Sequence, residues 1–394
     1  MVNKKKLLIL NGSHSDIPLI KSAKLLGFYV ITTGNNPKLI GHAYSDERCY
    51  ADFSNPDAIL DIAKKLKIDA VCSCSNDFGI ITASYISEKM NLPGHDSYET
   101  TMILHHKDLF KKYSIENDVP TPYAESFDNR DDALSSIDKR RLPLIIKPID
   151  LTGGKGVSVV RSVDKCVDAI MLSFSLSHLK RIVIEDFIEG TQHSFSSFIV
   201  KGKVAFYFSD NEYSYLNPYL VSTSAAPAIN VDEVADGLVQ TIEKMAKSLS
   251  LKDGIFHIQY LYHNKKAYIL EITRRCSGDL YPYPVNYATG LDWASWIVKA
   301  ETGMDCSGFP KVSQTGFCGR HCIMSPRNGI IKKIIIDKQI EGNIYDRLIW
   351  SGKGDRINNY LADKTGVVML KFDSMDEMLD KTRRITELIY MDIE

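Results

Sequence analysis

Short apolar runs alternate with amphipathic stretches through the first hundred residues, and this rhythm restricts the fold more than any other feature. Residues 7–10 (Leu-Leu-Ile-Leu) stop at Asn11-Gly12-Ser13. Residues 18–26 are amphipathic and close at Gly27, a residue suited to end a helix. Residues 29–32 read as the next strand, 58–66 as the next helix and 70–74 as the strand after it. Such a βαβαβ succession predicts a parallel sheet covered by helices. Ligands of these sheets bind at the carboxyl ends of strands, which points to residues 11–14 and 73–77. Gly12-Ser13-His14-Ser15 lacks the GxGxxG spacing, so no dinucleotide fingerprint is present.

Charge narrows the partners. The 394 residues carry 48 Lys+Arg against 49 Asp+Glu, a net charge of −1. That balance gives no electrostatic case for nucleic acid or an anionic membrane. The first apolar run is too short for a signal-peptide core or a membrane span, so a soluble cytoplasmic protein is expected. The eight cysteines show no paired CxxC spacing and no disulfide-scaffold density, and read as reduced core residues.

From His105 the texture changes. "HHKDLFKKYSIENDVPTP" reads as a helix ended by Asn117-Asp118, and "LPLIIKPIDLTGGKGVSVV" as strand, glycine-rich turn, strand. A helix near 163–172 and a strand over 181–185 lead into "EDFIEGTQHSFSSFIV". Two strands flank Gly202, a tyrosine-rich loop covers 213–219, and a helical pattern runs from about 231 to 249. A hairpin over 255–273 follows, and the chain closes on an amphipathic pattern over 375–389.

Several groups here suit phosphate chemistry. Lys147 ends an apolar strand, where it is either a snorkelling surface residue or an aimed point charge. A few residues on, Thr152-Gly153-Gly154-Lys155-Gly156 offers free backbone N–H groups to phosphates, or is an ordinary hairpin turn. "VIEDFIEG" passes from strand to irregular acidic segment; Glu185, Asp186, Phe187 and Ile188 can offer the adjacent carbonyl and N–H that an adenine requires. His193 or Glu185 is within reach of ribose hydroxyls. In the hairpin, a turn centred on Lys265 sets Gln259 opposite Glu271, with Thr273 on the same face. Three oxygen-bearing side chains with Arg275 just beyond suit Mg²⁺ shared with phosphates; the plain reading is a cross-strand hydrogen-bonded pair. A mid-strand carboxylate is costly to bury unless paired or metal-bound, so a buried Glu271 is expected behind a metal. Tyrosines 213, 215, 219, 281 and 283 point to a partly aromatic acceptor pocket or to packing.

Taken in order, Lys107 and the segments "IIKP", "GGKGV", "IEDFIEG", "FHIQ" and "LEITRR" resemble the ATP-grasp superfamily of carboxylate–amine ligases. The likeness lies near the branch of biotin carboxylases and the carbamoyl-phosphate synthetase large chain. The resemblance implies an α/β and α+β protein: a Rossmann-like parallel α/β domain over 1–103, a two-lobed ATP-grasp domain over 104–308, and a mixed α/β segment over 309–394. It implies that Lys107 and Lys147 bind nucleotide phosphates, that Gly153, Gly154 and Gly156 form a flap, and that Glu185, Asp186, Phe187 and Ile188 form the adenine hinge. His193 then stands at the ribose, and Gln259, Glu271 and Thr273 ligate Mg²⁺ or Mn²⁺. Arg275 would contact phosphate or acyl-phosphate, and Arg320, in "GFCGRHCIMSP", would hold the second substrate.

Two departures qualify the likeness. The family usually writes Glu-Ile-Asn-Pro-Arg where this chain has Glu271-Ile272-Thr273-Arg274-Arg275. Cys276-Ser277-Gly278-Asp279 replaces the segment that follows in biotin carboxylases, against biotin carboxylation. The expected function is ATP-dependent joining of a small carboxylate to an amine through an acyl-phosphate, an amino acid or amino sugar among the substrates. A bicarbonate-using N-carboxylating ligase and a nucleotide-binding protein of little turnover are the alternatives. A homodimer is compatible with the resemblance.

Overall fold

A computed structural model describes residues 4–151 and 154–394. Four parallel strands, Glu47–Tyr50, Tyr29–Gly34, Lys6–Ile9 and Ala70–Cys72, lie side by side in that order. The helix expected over 18–26 spans Ile17–Leu25, and Gly27 follows it at φ +92°. Edge strand Glu47–Tyr50 was not anticipated, because its Glu-Arg-Cys-Tyr sequence carries charge and no apolar run. The helix expected after His105 spans Lys107–Glu116 and ends at Asn117; another helix, Tyr98–His105, precedes it, and extended backbone at His106 divides the two. That break makes Lys107 the first residue of its helix.

A small antiparallel sheet of Ala124–Phe127, Ile182–Asp186, Leu144–Pro148 and Ser158–Val160, backed by helix Val163–Leu176, forms one lobe around its own core. The other lobe is an eight-stranded sheet. Its order is Lys266–Thr273, Gly254–His263, Thr191–Val200, Lys203–Tyr213, Thr223–Ala226, Phe317–Met324, Lys364–Phe372 and Ile344–Ile349. The last three strands, all beyond residue 309, thus continue the central sheet. The amphipathic end pattern breaks at Arg384 into Met375–Arg383 and Ile385–Leu388. Strand Ile389–Ile393 follows and pairs with Gly329–Ile336.

One core joins the N-terminal layer to the rest. Leu7, Ile9, Leu19 and Ile20 pack with Phe198, Trp293, Ile297 and Cys318. Glu301, from helix Trp293–Glu301, reaches Ser73 at the carboxyl end of a parallel strand, 2.5 Å from its N and 2.8 Å from its Oγ. The strand ends of the first layer are thereby fixed against the large sheet. All eight cysteines are free thiols. No helix among the described residues is long and apolar enough to cross a membrane.

Candidate active site

A cavity of about 550 Å³ opens where the parallel strand ends, the small lobe and the large sheet meet. Lys107, Lys147, Gly154, Gln259, Glu271, Thr273, Arg275 and Arg320 all line it. Ser75, Asn76 and Asp77 line it too, from one of the strand ends that the sheet rule singles out; of the other, residues 11–14, none does, and Ser15 just beyond them does.

At one end, antiparallel pairing sets Lys147 opposite Val183, two residues before Glu185. Lys147 Nζ lies 2.6 Å from Glu185 Oε1, and Lys111 Nζ, one helical turn after Lys107, lies 3.5 Å from the same oxygen. The Glu185 side chain is fully buried between them. Burial would raise its carboxyl, but the two ammonium groups outweigh that and hold it below the usual range. Burial lowers Lys111 to about 8 in spite of Glu185. Glu185 therefore holds the lysines in place, and its carboxylate is already engaged. Lys107 Nζ donates to Leu151 O at 2.8 Å. Past the strand, Asp186 N–H bonds Tyr123 O at 2.9 Å and Phe187 N–H bonds Pro143 O at 3.2 Å. Ile188 N–H has no backbone partner among the described residues, and of the four hinge residues only Glu185 lines the cavity.

Gly154 and Gly156 have φ +73° and +74°, and a Cβ at Gly154 would sit 2.1 Å from Tyr219 Cβ. Glycine is thus required both by conformation and by the closeness of the tyrosine loop. Gly153 lies outside the described residues. Of the five tyrosines, Tyr219 alone lines the cavity; Tyr213 and Tyr215 stack together in the C-terminal core, and Tyr281 is buried. The aromatic acceptor pocket is not formed.

The structure does not bring His193 to the cavity. Strand alternation turns it to the opposite face, where it is buried and stacked on Tyr260 with centroids 5.3 Å apart, and burial lowers it to about 4. Its neighbour Gln192 faces the cavity instead.

In the hairpin, Gln259 does stand opposite Glu271, though not by a turn centred on Lys265. The turn is Asn264-Lys265, both at positive φ, and a bulge next to Gln259 restores the pairing. Glu271 is exposed to the cavity rather than buried. Solvation, not a hidden metal, is what makes its charge tolerable in the free protein. Gln259 Nε2 donates to Glu212 Oε2 at 2.9 Å, which turns its carbonyl oxygen away from Glu212. Among the described residues no three His, Cys, Asp or Glu side chains converge as a metal cage. One carboxylate, one amide oxygen and one hydroxyl fit a hard cation that takes its other ligands from phosphates and water.

Sequence reasoning missed the partners of the two arginines. Arg275 Nε lies 2.8 Å from Asp77, and His105 is 3.7 Å from the same oxygen. Burial would raise the Asp77 carboxyl, but Arg275 and His105 hold it well below the usual range. Arg320, over the Tyr281 ring at 5.4 Å, lies 3.3 Å from Asp279. Lys364 at 2.6 Å and His14 at 3.4 Å approach the same carboxylate. Burial would raise Asp279 as well, yet Lys364, His14 and Arg320 keep it well below the carboxylate range. Glu212 behaves oppositely: burial and nearby Asp210 push it up to about 7.

Residues 105–216 match the family model for the phosphoribosylglycinamide synthetase ATP-grasp (A) domain. A phosphoribosylamine–glycine ligase of Lactococcus lactis subsp. lactis is 39% identical over 98 residues, 25% of this chain and 23% of that protein. The chain spans about a quarter of the length of the first curated relatives it matches. Two solved structures cover all of both chains. One is an L-amino acid ligase from Bacillus licheniformis, TM-score 0.82 and 18% identical. The other is a phosphoribosylglycinamide synthetase from Anaerococcus prevotii, TM-score 0.79 and 22% identical. The fold is therefore that of the ATP-grasp proteins.

Proposed function

We propose that the protein is an ATP-dependent, ADP-forming ligase that joins a carboxylate to an amine. In the first step a carboxylate oxygen attacks the γ-phosphorus of ATP; the bond to the β,γ-bridging oxygen breaks, and ADP and an acyl-phosphate result. In the second, an amine nitrogen bonds to the acyl carbon, phosphate departs with the C–O electron pair, and the nitrogen loses a proton. The supporting observation is the convergence of Lys107, Lys147, Gln259, Glu271 and Arg275 on one cavity.

Each group has a physical task. Lys107 and Lys147 supply fixed positive charge where phosphate charge shifts, and Glu185 fixes Lys147 so that little reorganisation is needed. The Ile188 N–H, beside the strand end, suits a purine edge. Gln259 and Glu271, with Thr273 beside them, would hold Mg²⁺. That ion would neutralise phosphate charge and align the phosphates. Arg275, oriented by Asp77, faces the transferring group. No covalent nucleophile is needed for this chemistry.

The test is ADP release from purified protein supplied with carboxylic acids and amines singly and together. ADP formed only with both supports the reading. ADP formed with an amine and bicarbonate alone would replace it with N-carboxylation, and ATP binding without substrate-dependent turnover would reject catalysis.

A further inference from the structure

Across the large sheet, Glu212 pairs with Ser224, and Ser224 pairs with Arg320. Residues directly opposite in antiparallel strands share a face, so Glu212 and Arg320 stand on the same side of the sheet with a serine between them. Two strand spacings put their backbones about 10 Å apart. Both side chains line the cavity, and both are more than nine-tenths buried.

Neither group is balanced by the protein. Arg320 and Lys364 share the single carboxylate of Asp279, and the buried Arg320 Nε has no partner among the described residues. Two fixed cations facing one anion leave room for a second anion. Glu212 shows the reverse deficit. Its Oε2 accepts from Gln192 and Gln259, each at 2.9 Å, while no cation stands at ion-pair distance from Glu212 among the described residues. Asp210, two residues before it on the strand, is bonded to Ser194 and has no cation at that distance among the described residues either. The deficits are of opposite sign and face each other across Ser224. Both side chains rise from one face of the sheet into the same cavity, and a small zwitterion, with a charge of each sign, suits such a pair.

Resting on the ligase reading above, we propose that the amine substrate is a free α-amino acid, its carboxylate held by Arg320 and Lys364 and its amino group by Glu212. The orientation follows from the strand order. Glu212 touches Gln259, next to Glu271, so the amino group faces the phosphate end and the carboxylate is held away from it. His14, stacked on Trp350 at 4.1 Å, contributes to the carboxylate end through Asp279.

The experiment is calorimetric binding of the twenty standard L-amino acids, with and without a non-hydrolysable ATP analogue and Mg²⁺. For every amino acid that binds, the acid lacking the amine and the amine lacking the carboxylate are titrated in parallel. Each analogue should bind about tenfold more weakly or worse, the scale of one lost charged hydrogen bond. Glu212→Gln should erase the preference for the amine, and Arg320→Gln the preference for the carboxylate, each retaining affinity for the ATP analogue. Binding by no amino acid, or equal binding by the acid lacking the amine, overturns the proposal. The ligand analogues decide the matter even if a variant fails to fold. Failure of the wild-type protein to bind the ATP analogue would instead count against the ligase reading, since amino-acid binding is measured separately.

Discussion

At the nucleotide end of the cavity the charged groups come from local segments: Lys107 and Lys111 on one helix, Lys147 and Glu185 on adjacent strands, Gln259 and Glu271 on one hairpin. At the far end they come from four separate places, as His14, Asp279, Arg320 and Lys364 meet from opposite extremes of the chain. The first end is built around a carboxylate, Glu185, that two lysines enclose. At the second, Arg320 and Lys364 likewise share one carboxylate, Asp279, but an unpaired Glu212 stands across the sheet from them. Two cations on one carboxylate suit an anionic ligand at either end; the unpaired Glu212 adds a place for a cationic group at the second alone. On the proposed reading, most groups that meet the phosphates come from short segments, and those that meet the amine substrate come from remote parts of the chain.

Glu185→Gln should break the comparison most strongly. It leaves Lys111 and Lys147 without their buried counter-charge, and a loss of about 3–5 kcal/mol in unfolding free energy is expected from urea titration. An unchanged midpoint would mean that the cluster is not what holds the nucleotide end. Lys147→Ala should lower turnover about a hundredfold or more, as when one preorganised charge-stabilising donor is removed. Because Lys111 still faces Glu185, the fold should persist by circular dichroism. Full turnover in that variant would return Lys147 to a surface role.

Glu271→Gln sharpens the contrast between a solvated ligand and an enclosed one. Activity at ordinary Mg²⁺ should fall at least tenfold, about one charged contact, while stability stays within about 0.5 kcal/mol because the side chain is exposed. Wild-type activity across a Mg²⁺ titration would make the hairpin purely structural. The smallest effect belongs to His193→Phe, a swap of similar shape on the far face of the sheet. It should cost less than about 1.5 kcal/mol and leave ATP affinity unaltered. A large fall in ATP affinity would mean that the side chain turns toward the ribose after all.

The same contrast explains what could be read without coordinates. Lys147, Gly154, Gly156, Gln259 and Glu271 sit in motifs a few residues long, and alternation or turn spacing locates them. Even there, His193 was assigned to the wrong face. Strand parity separates it from Gln192 by one position, and a sequence has no marker for which parity faces a ligand. Glu271 was expected to be buried because its strand is otherwise apolar; the cavity in front of it is made by distant elements. Asp77 lay within the strand end that the parallel-sheet rule indicates, but its pairing to Arg275 joins residues 198 positions apart. Nothing local marks Asp279 or Lys364. Likewise, the strands beyond residue 309 looked like a separate segment, because sheet continuation depends on pairing between remote strands.

The most direct test of the central claim follows the oxygen atoms. With a carboxylic substrate labelled with ¹⁸O in its carboxylate, an amine and ATP, activation through an acyl-phosphate transfers one labelled oxygen to the phosphate released. Inorganic phosphate carrying one ¹⁸O per amide formed is expected. Label retained wholly in the organic product, with unlabelled phosphate, would contradict it.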